Sequence, residues 1–110
     1  DQEDKSGKTS IFDACESGNK ELVKYLVEQG ANINQEDKYG DTPLFNACFS
    51  GNKELINFLI EHGVDINKEN NDGEIPLFDV CKNRNQGVVK YLVELGANIN
   101  KENNKGNTPL

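Results

Sequence analysis

The feature that most constrains this chain is a period of 33 residues. Gly7, Gly40, Gly73 and Gly106 mark it, and Gly30, Gly63 and Gly96 mark it again at a second position. Superposing residues 1–33 on 34–66 gives 19 identities in 33 positions, and many of the differences are conservative, such as Val23 to Ile56 and Tyr25 to Phe58. A fixed period of this length means one small supersecondary unit used several times. Such a unit cannot bury its apolar face alone, so the core must form between neighbouring copies. A chain of 110 residues is the size of one domain. The expected organisation is a single domain over 1–110, with repeats at about 4–36, 37–69 and 70–102 and a partial copy at 103–110.

Within a repeat the local signals are those of two short helices. In the middle copy Thr42 stands where a hydroxyl can cap free amides, Pro43 suits the first helical position, and Gly51 stops the run. Asn52 then caps a second helix, along which Leu55, Ile56, Leu59 and Ile60 recur at helical spacing while Lys53, Glu54, Asn57 and Glu61 face water. Gly63 ends it by taking the left-handed conformation at low cost. The Asn- and Asp-rich stretch that follows, up to Gly73, predicts a hairpin-shaped connection, with Asn34, Asn67 and Asn100 holding its base. The third copy carries Ile75 for threonine, Arg84 for the glycine of the first two, and Gly87 for glutamate, so it should be the least regular.

The constellation Gly40-Asp41-Thr42-Pro43-Leu44, then Ala47, Gly51-Asn52, Leu55, Leu59 and Gly63 to Asn67, resembles the ankyrin repeat, and the resemblance runs the length of the chain. It implies an all-α repeat solenoid, an ankyrin-like stack of helix-turn-helix units with projecting hairpin loops. The chain departs from the family pattern at Phe12, Phe45 and Phe78, which stand where the motif usually has histidine. That exchange removes a side-chain hydrogen bond and should place a ring between repeats. The resemblance also implies a function: holding a partner protein on the concave strip made by hairpin tips and first helices. By register that strip comprises Lys5, Ser6, Lys8, Glu16 and Ser17 in the first copy and Lys38, Tyr39, Asp41, Phe49 and Ser50 in the second. In the third it comprises Asn71, Asp72, Glu74, Lys82 and Asn83. Tyr39 and Phe49 stand out as aromatic where their copies are polar or charged, which is the pattern of an interface anchor.

Other chemistries have little to build on. Twelve basic against 19 acidic residues give a net charge of -7, which argues against nucleic acid and anionic membranes and favours neutral or basic partners. No apolar stretch is long enough to span a bilayer. Cys15, Cys48 and Cys81 occupy one position seen three times, too far apart for bridging, so they predict reduced, buried thiols and a cytoplasmic setting. The single histidine, His62, closes a helix and has no second imidazole with which to form a metal site. No enzyme activity, metal or cofactor is expected, and the chain should be a monomer or part of a longer one. The alternative is a structural spacer cut from a longer array, since 103–110 opens a repeat without completing it.

Overall fold

In the computed structural model, residues 10–110 are described, Ser10 by its backbone alone. Six helices follow one another in three pairs. They are α1 (Ser10–Glu16), α2 (Lys20–Glu28), α3 (Pro43–Ser50), α4 (Lys53–Glu61), α5 (Pro76–Lys82) and α6 (Gln86–Glu94). None exceeds 9 residues, a length that is marginal for a helix in isolation, so tertiary burial must hold them. The burial comes from stacking: α3 packs against α1 on one side and α5 on the other, while α2, α4 and α6 each lie against the first helix of their own pair.

The cap signals mostly do what the sequence predicts. Asn19, Asn52 and Asn85 each accept a hydrogen bond from the amide three residues on, at 3.0, 3.1 and 3.2 Å. Gly18 and Gly51 leave the first helices with φ of 74° and 76°. Arg84 is forced into the same left-handed conformation at φ 58°, which costs a residue with a β-carbon about 1 kcal/mol. The irregularity expected of the third copy is confined to that point, because α6 keeps the same nine-residue length as α2 and α4 despite Gly87.

Thr42 corrects the sequence reading. It occupies the cap position of α3, but its hydroxyl makes no capping bond. The amide it would have taken, that of Phe45, already donates to the Thr42 carbonyl at 3.0 Å. Thr42 Oγ1 is therefore buried without a partner, and among the described residues no other buried side-chain oxygen or nitrogen is in that state. The rings of Phe12, Phe45 and Phe78 are buried, those of Phe12 and Phe78 within the core between repeats, and supply nothing for the hydroxyl to bond. In the third copy Ile75 fills the equivalent position, fully buried, with the same backbone bond from Phe78 to its carbonyl at 3.0 Å.

Each hairpin is organised by one side chain. Asp37 Oδ1 accepts from the amides of Tyr39 and Asp41 at 2.9 and 3.0 Å. Asn70 and Asn103 repeat this arrangement for the hairpins that follow. The hairpins are then laced together: the Asn71 amide donates to the Tyr39 carbonyl at 3.0 Å and the Asn104 amide to that of Asp72 at 2.9 Å. Approach is so close that a β-carbon on Gly40 would lie 2.5 Å from Asn71 Oδ1. Asn67 does not hold its own turn as expected. It reaches the next copy, donating to the Gly96 carbonyl at 3.2 Å and accepting from the Asn98 amide at 2.8 Å.

An orphaned buried hydroxyl costs about 1 to 3 kcal/mol. Thr42→Val keeps the shape and removes the hydroxyl, so urea denaturation should show it at least as stable as the parent, by about 1 kcal/mol. A loss of stability would mean that the hydroxyl has a partner in solution.

Candidate protein-interaction face

The hairpins and the first helices share one side of the stack, because each hairpin leads directly into the first helix that follows it. That side carries the residues expected to meet a partner, and the structure divides them into two groups. Lys38, Tyr39, Phe49, Asp72, Lys82 and Asn83 are exposed. Asp41, Ser50, Asn71 and Glu74 are engaged in holding the stack, although Asn71 is exposed as well and Lys82 is itself bonded to Glu74. Asp41 accepts from Asn70 Nδ2 at 2.9 Å, and Glu74 accepts from Asn103 Nδ2 at 2.8 Å, so each anchors the hairpin after its own. Asn71 donates to the Lys38 carbonyl at 3.1 Å, and the Ser50 hydroxyl donates to that of Ala47 at 2.6 Å. Glu74 is in addition buried, contrary to its expected exposure, because the hairpin at 103–107 covers it. Lys5, Ser6 and Lys8 lie outside the described residues. Glu16 is exposed and accepts from Asn46 Nδ2 at 3.3 Å, and Ser17 is exposed beside it.

The aromatic contrast seen in the sequence is a contrast in space as well. Phe49, next to last in α3, is 63% exposed, and Tyr39 at the hairpin tip is 55% exposed, with the Lys38 ammonium 5.2 Å from its ring centre. The copies of Phe49 in the other first helices are Glu16 and Lys82. Phe49 forms one wall of a recess of about 160 Å³, completed by Asp37 and Asp41 of the hairpin, Glu16 of α1, Phe45 and Asn46 of α3, and Asp79 of α5. Among the described residues, every charged one lining it is acidic. Asn46 and Asp79 were missed by sequence reasoning, although the signal was present. They lie three positions before Phe49 and Lys82, which puts them on the same helix face.

The electrostatics follow the burial. Desolvation, then the neighbouring Asp41 charge, pushes the Asp79 carboxyl up to about 6, against a weaker opposing pull from Lys82. For Glu74 burial acts in the same upward direction, but hydrogen bonds from Asn103 and Lys82 and the charges of Lys82 and Lys105 outweigh it, and its carboxyl is held below the ordinary range. The Glu74 hydrogen bond in turn raises Lys82, whose Nζ lies 3.1 Å from Glu74 Oε1. Burial pushes the Cys15 thiol up to about 12 and shifts Cys48 and Cys81 in the same direction, although Cys81 is only half-buried, contrary to the buried thiol expected there. His62 stacks on Phe58 at 4.1 Å between ring centres, and its Nδ1 lies 2.8 Å from the Phe58 carbonyl, a local contact that ends α4. Among the described residues no group of three or more His, Cys, Asp or Glu side chains is placed to hold a metal ion, and no helix is long and apolar enough to cross a membrane.

A family model described as ankyrin repeats in three copies matches residues 1–70, and a second, ankyrin repeats in many copies, matches residues 59–110. The chain belongs to the ankyrin-repeat family. In the comparison with curated proteins nothing matches. Ankyrin repeats are generally protein–protein interaction modules. The surface of this ankyrin stack has exposed aromatics with polar neighbours, and the Tyr39 backbone is itself part of the hairpin lattice.

Asp79 supplies a test of the electrostatics. Its unfolded carboxyl titrates near 3.8 and its folded one at about 6. The folded state therefore holds the proton more tightly, and this group penalises folding above pH 6 and ceases to do so below 3.8. Asp79→Asn, which copies Asn46 at the same register, should raise stability at pH 7.5 by about 1 kcal/mol once contact with water is allowed for. At pH 3.5 the gain should vanish. A gain equal at both pH values would show that repulsion and desolvation of the carboxylate are not its source.

Proposed function

We propose that this ankyrin stack is a scaffold that holds a partner protein on its concave, hairpin-bearing side, with Tyr39 and Phe49 as its anchors and Lys38, Asp72, Lys82 and Asn83 at its rim. The observation that carries this reading is Phe49. An aromatic ring 63% exposed at the end of a first helix, at a position charged in both neighbouring copies, serves no purpose in the core. Large aromatics surrounded by polar groups dominate binding energy at protein interfaces because they bury much surface with little loss of conformational freedom. Asp41, Ser50, Asn71 and Glu74 contribute indirectly, by fixing the hairpins and helix ends on which the contacting side chains stand. The reading is non-catalytic and involves no cofactor. The alternative, a spacer that only lengthens an array, gives the exposed aromatics no role.

Affinity capture from the source cell's extract distinguishes them. A partner retained by the parent chain and lost by the Tyr39→Ala, Phe49→Ala double variant, at unchanged thermal stability, is the expected result. Equal retention by both chains, or capture of nothing by either, would favour the spacer.

A further inference from the structure

The hairpin tip that carries Tyr39 is gripped from the repeat that follows it. Asn71 does so at two points: its backbone amide donates to the Tyr39 carbonyl at 3.0 Å, and its side-chain Nδ2 donates to the Lys38 carbonyl at 3.1 Å. Gly40, next to the tyrosine, is buried against the same asparagine. A β-carbon there would lie 2.5 Å from Asn71 Oδ1 and 2.8 Å from the Asn71 backbone nitrogen. Within its own repeat the tip is held by the Asp37 carboxylate, which accepts from the Tyr39 amide at 2.9 Å. Both backbone polar groups of Tyr39 are thus engaged while the residue stays 55% exposed. A side chain presented on a fixed backbone loses less conformational freedom on binding than one on a free loop. Whatever fixes that backbone therefore contributes to affinity without touching the partner.

We infer that Asn71 is a positioning residue of the interaction face: from the third repeat it sets the place of the Tyr39 side chain in the second, and partner affinity depends on that grip. This rests on the reading of Tyr39 as an anchor and adds that the anchor is governed across the boundary between two repeats. The next hairpin supplies the same clamp without an anchor. Asn104 donates from its amide to the Asp72 carbonyl at 2.9 Å and from Nδ2 to the Asn71 carbonyl at 2.9 Å. A β-carbon on the buried Gly73 would lie 2.5 Å from Asn104 Oδ1, as one on Gly40 would from Asn71 Oδ1. The residue at that tip is Asp72, where the preceding hairpin has Tyr39. Two matched clamps, one under an aromatic side chain and one not, separate the loosening of a hairpin from the release of the anchor.

The probe is a set of peptides selected from a phage-displayed random library on the whole chain, with counter-selection on Tyr39→Ala so that only peptides that use the tyrosine remain. Asn71→Ala should weaken their binding about fivefold, the combined effect of one lost hydrogen bond and a less ordered tip. In the free chain it should also speed amide exchange at Tyr39. Asn104→Ala removes the matching clamp one repeat further on, so it should lower stability in urea equally while leaving affinity within about twofold. Gly40→Ala, buried and out of a peptide's reach, should weaken binding at least as much as Asn71→Ala, and Gly73→Ala should not. If circular dichroism shows Gly40→Ala unfolded, the comparison of Asn71→Ala with Asn104→Ala decides. Unchanged affinity in Asn71→Ala, or an equal loss in Asn104→Ala, would overturn the inference and leave Tyr39 as an anchor. So would weaker binding in Asn71→Ala with amide exchange at Tyr39 unchanged, because Asn71 would then be touching the peptide itself. If counter-selection leaves no peptide, Tyr39 is not an anchor and both readings fail.

Discussion

Packing of each first helix against the next carries the rest of the structure. The residues that meet there are small or flat, with Ala14 and Cys15 of α1 facing the layer that contains Leu44, Ala47 and Cys48 of α3, all of them buried. Alanine and cysteine let the helices approach closely. Helices of seven to nine residues do not persist without such burial. The dependence shows at the edge of the stack, where Leu22 is 42% exposed while its copies Leu55 and Val88 are buried by the preceding pair. The hairpin lattice is a second, polar fastening that follows from the first, because the helix spacing brings one hairpin within hydrogen-bond reach of the next.

Much of this was legible in the sequence because local signals recur in register. The Asn caps, the glycine stops and the buried phenylalanines each occur three times or nearly so, and each does in space what its spacing implies. What was not legible depends on contacts about 30 residues apart. Asp41 and Glu74 read as exposed charges within their own repeat, and only the fold shows that each receives the side chain of the following hairpin. Asn67 fails for the same reason, since its partners belong to the next copy. Thr42 is a different failure: the cap motif is correct, but the carbonyl of the residue itself takes the amide the hydroxyl would use. The recess lining was half legible, because helical spacing links Asp79 to Lys82 and Asn46 to Phe49, whereas their approach to the hairpin base comes from tertiary packing.

The repeats also separate stability from function by internal comparison. Where the copies agree, the shared residue serves packing or the hairpin lattice. Where they differ at an exposed site, no common structural demand explains the choice, as at Phe49 against Glu16 and Lys82. Asp79 is the informative intermediate. Its counterpart Asn46 shows that the fold accepts a neutral side chain there, yet a carboxylate is kept in a half-buried place beside another.

The central claim is that partners meet the hairpin side and not the outer face of the second helices. The most direct measurement is site-specific photo-crosslinking in the source cell, with a photoreactive amino acid placed at Phe49 in one variant and at the outer-face residue Asn57 of α4 in another. The account predicts a discrete adduct from position 49 and none from position 57. An adduct from position 57 with none from position 49 would contradict it.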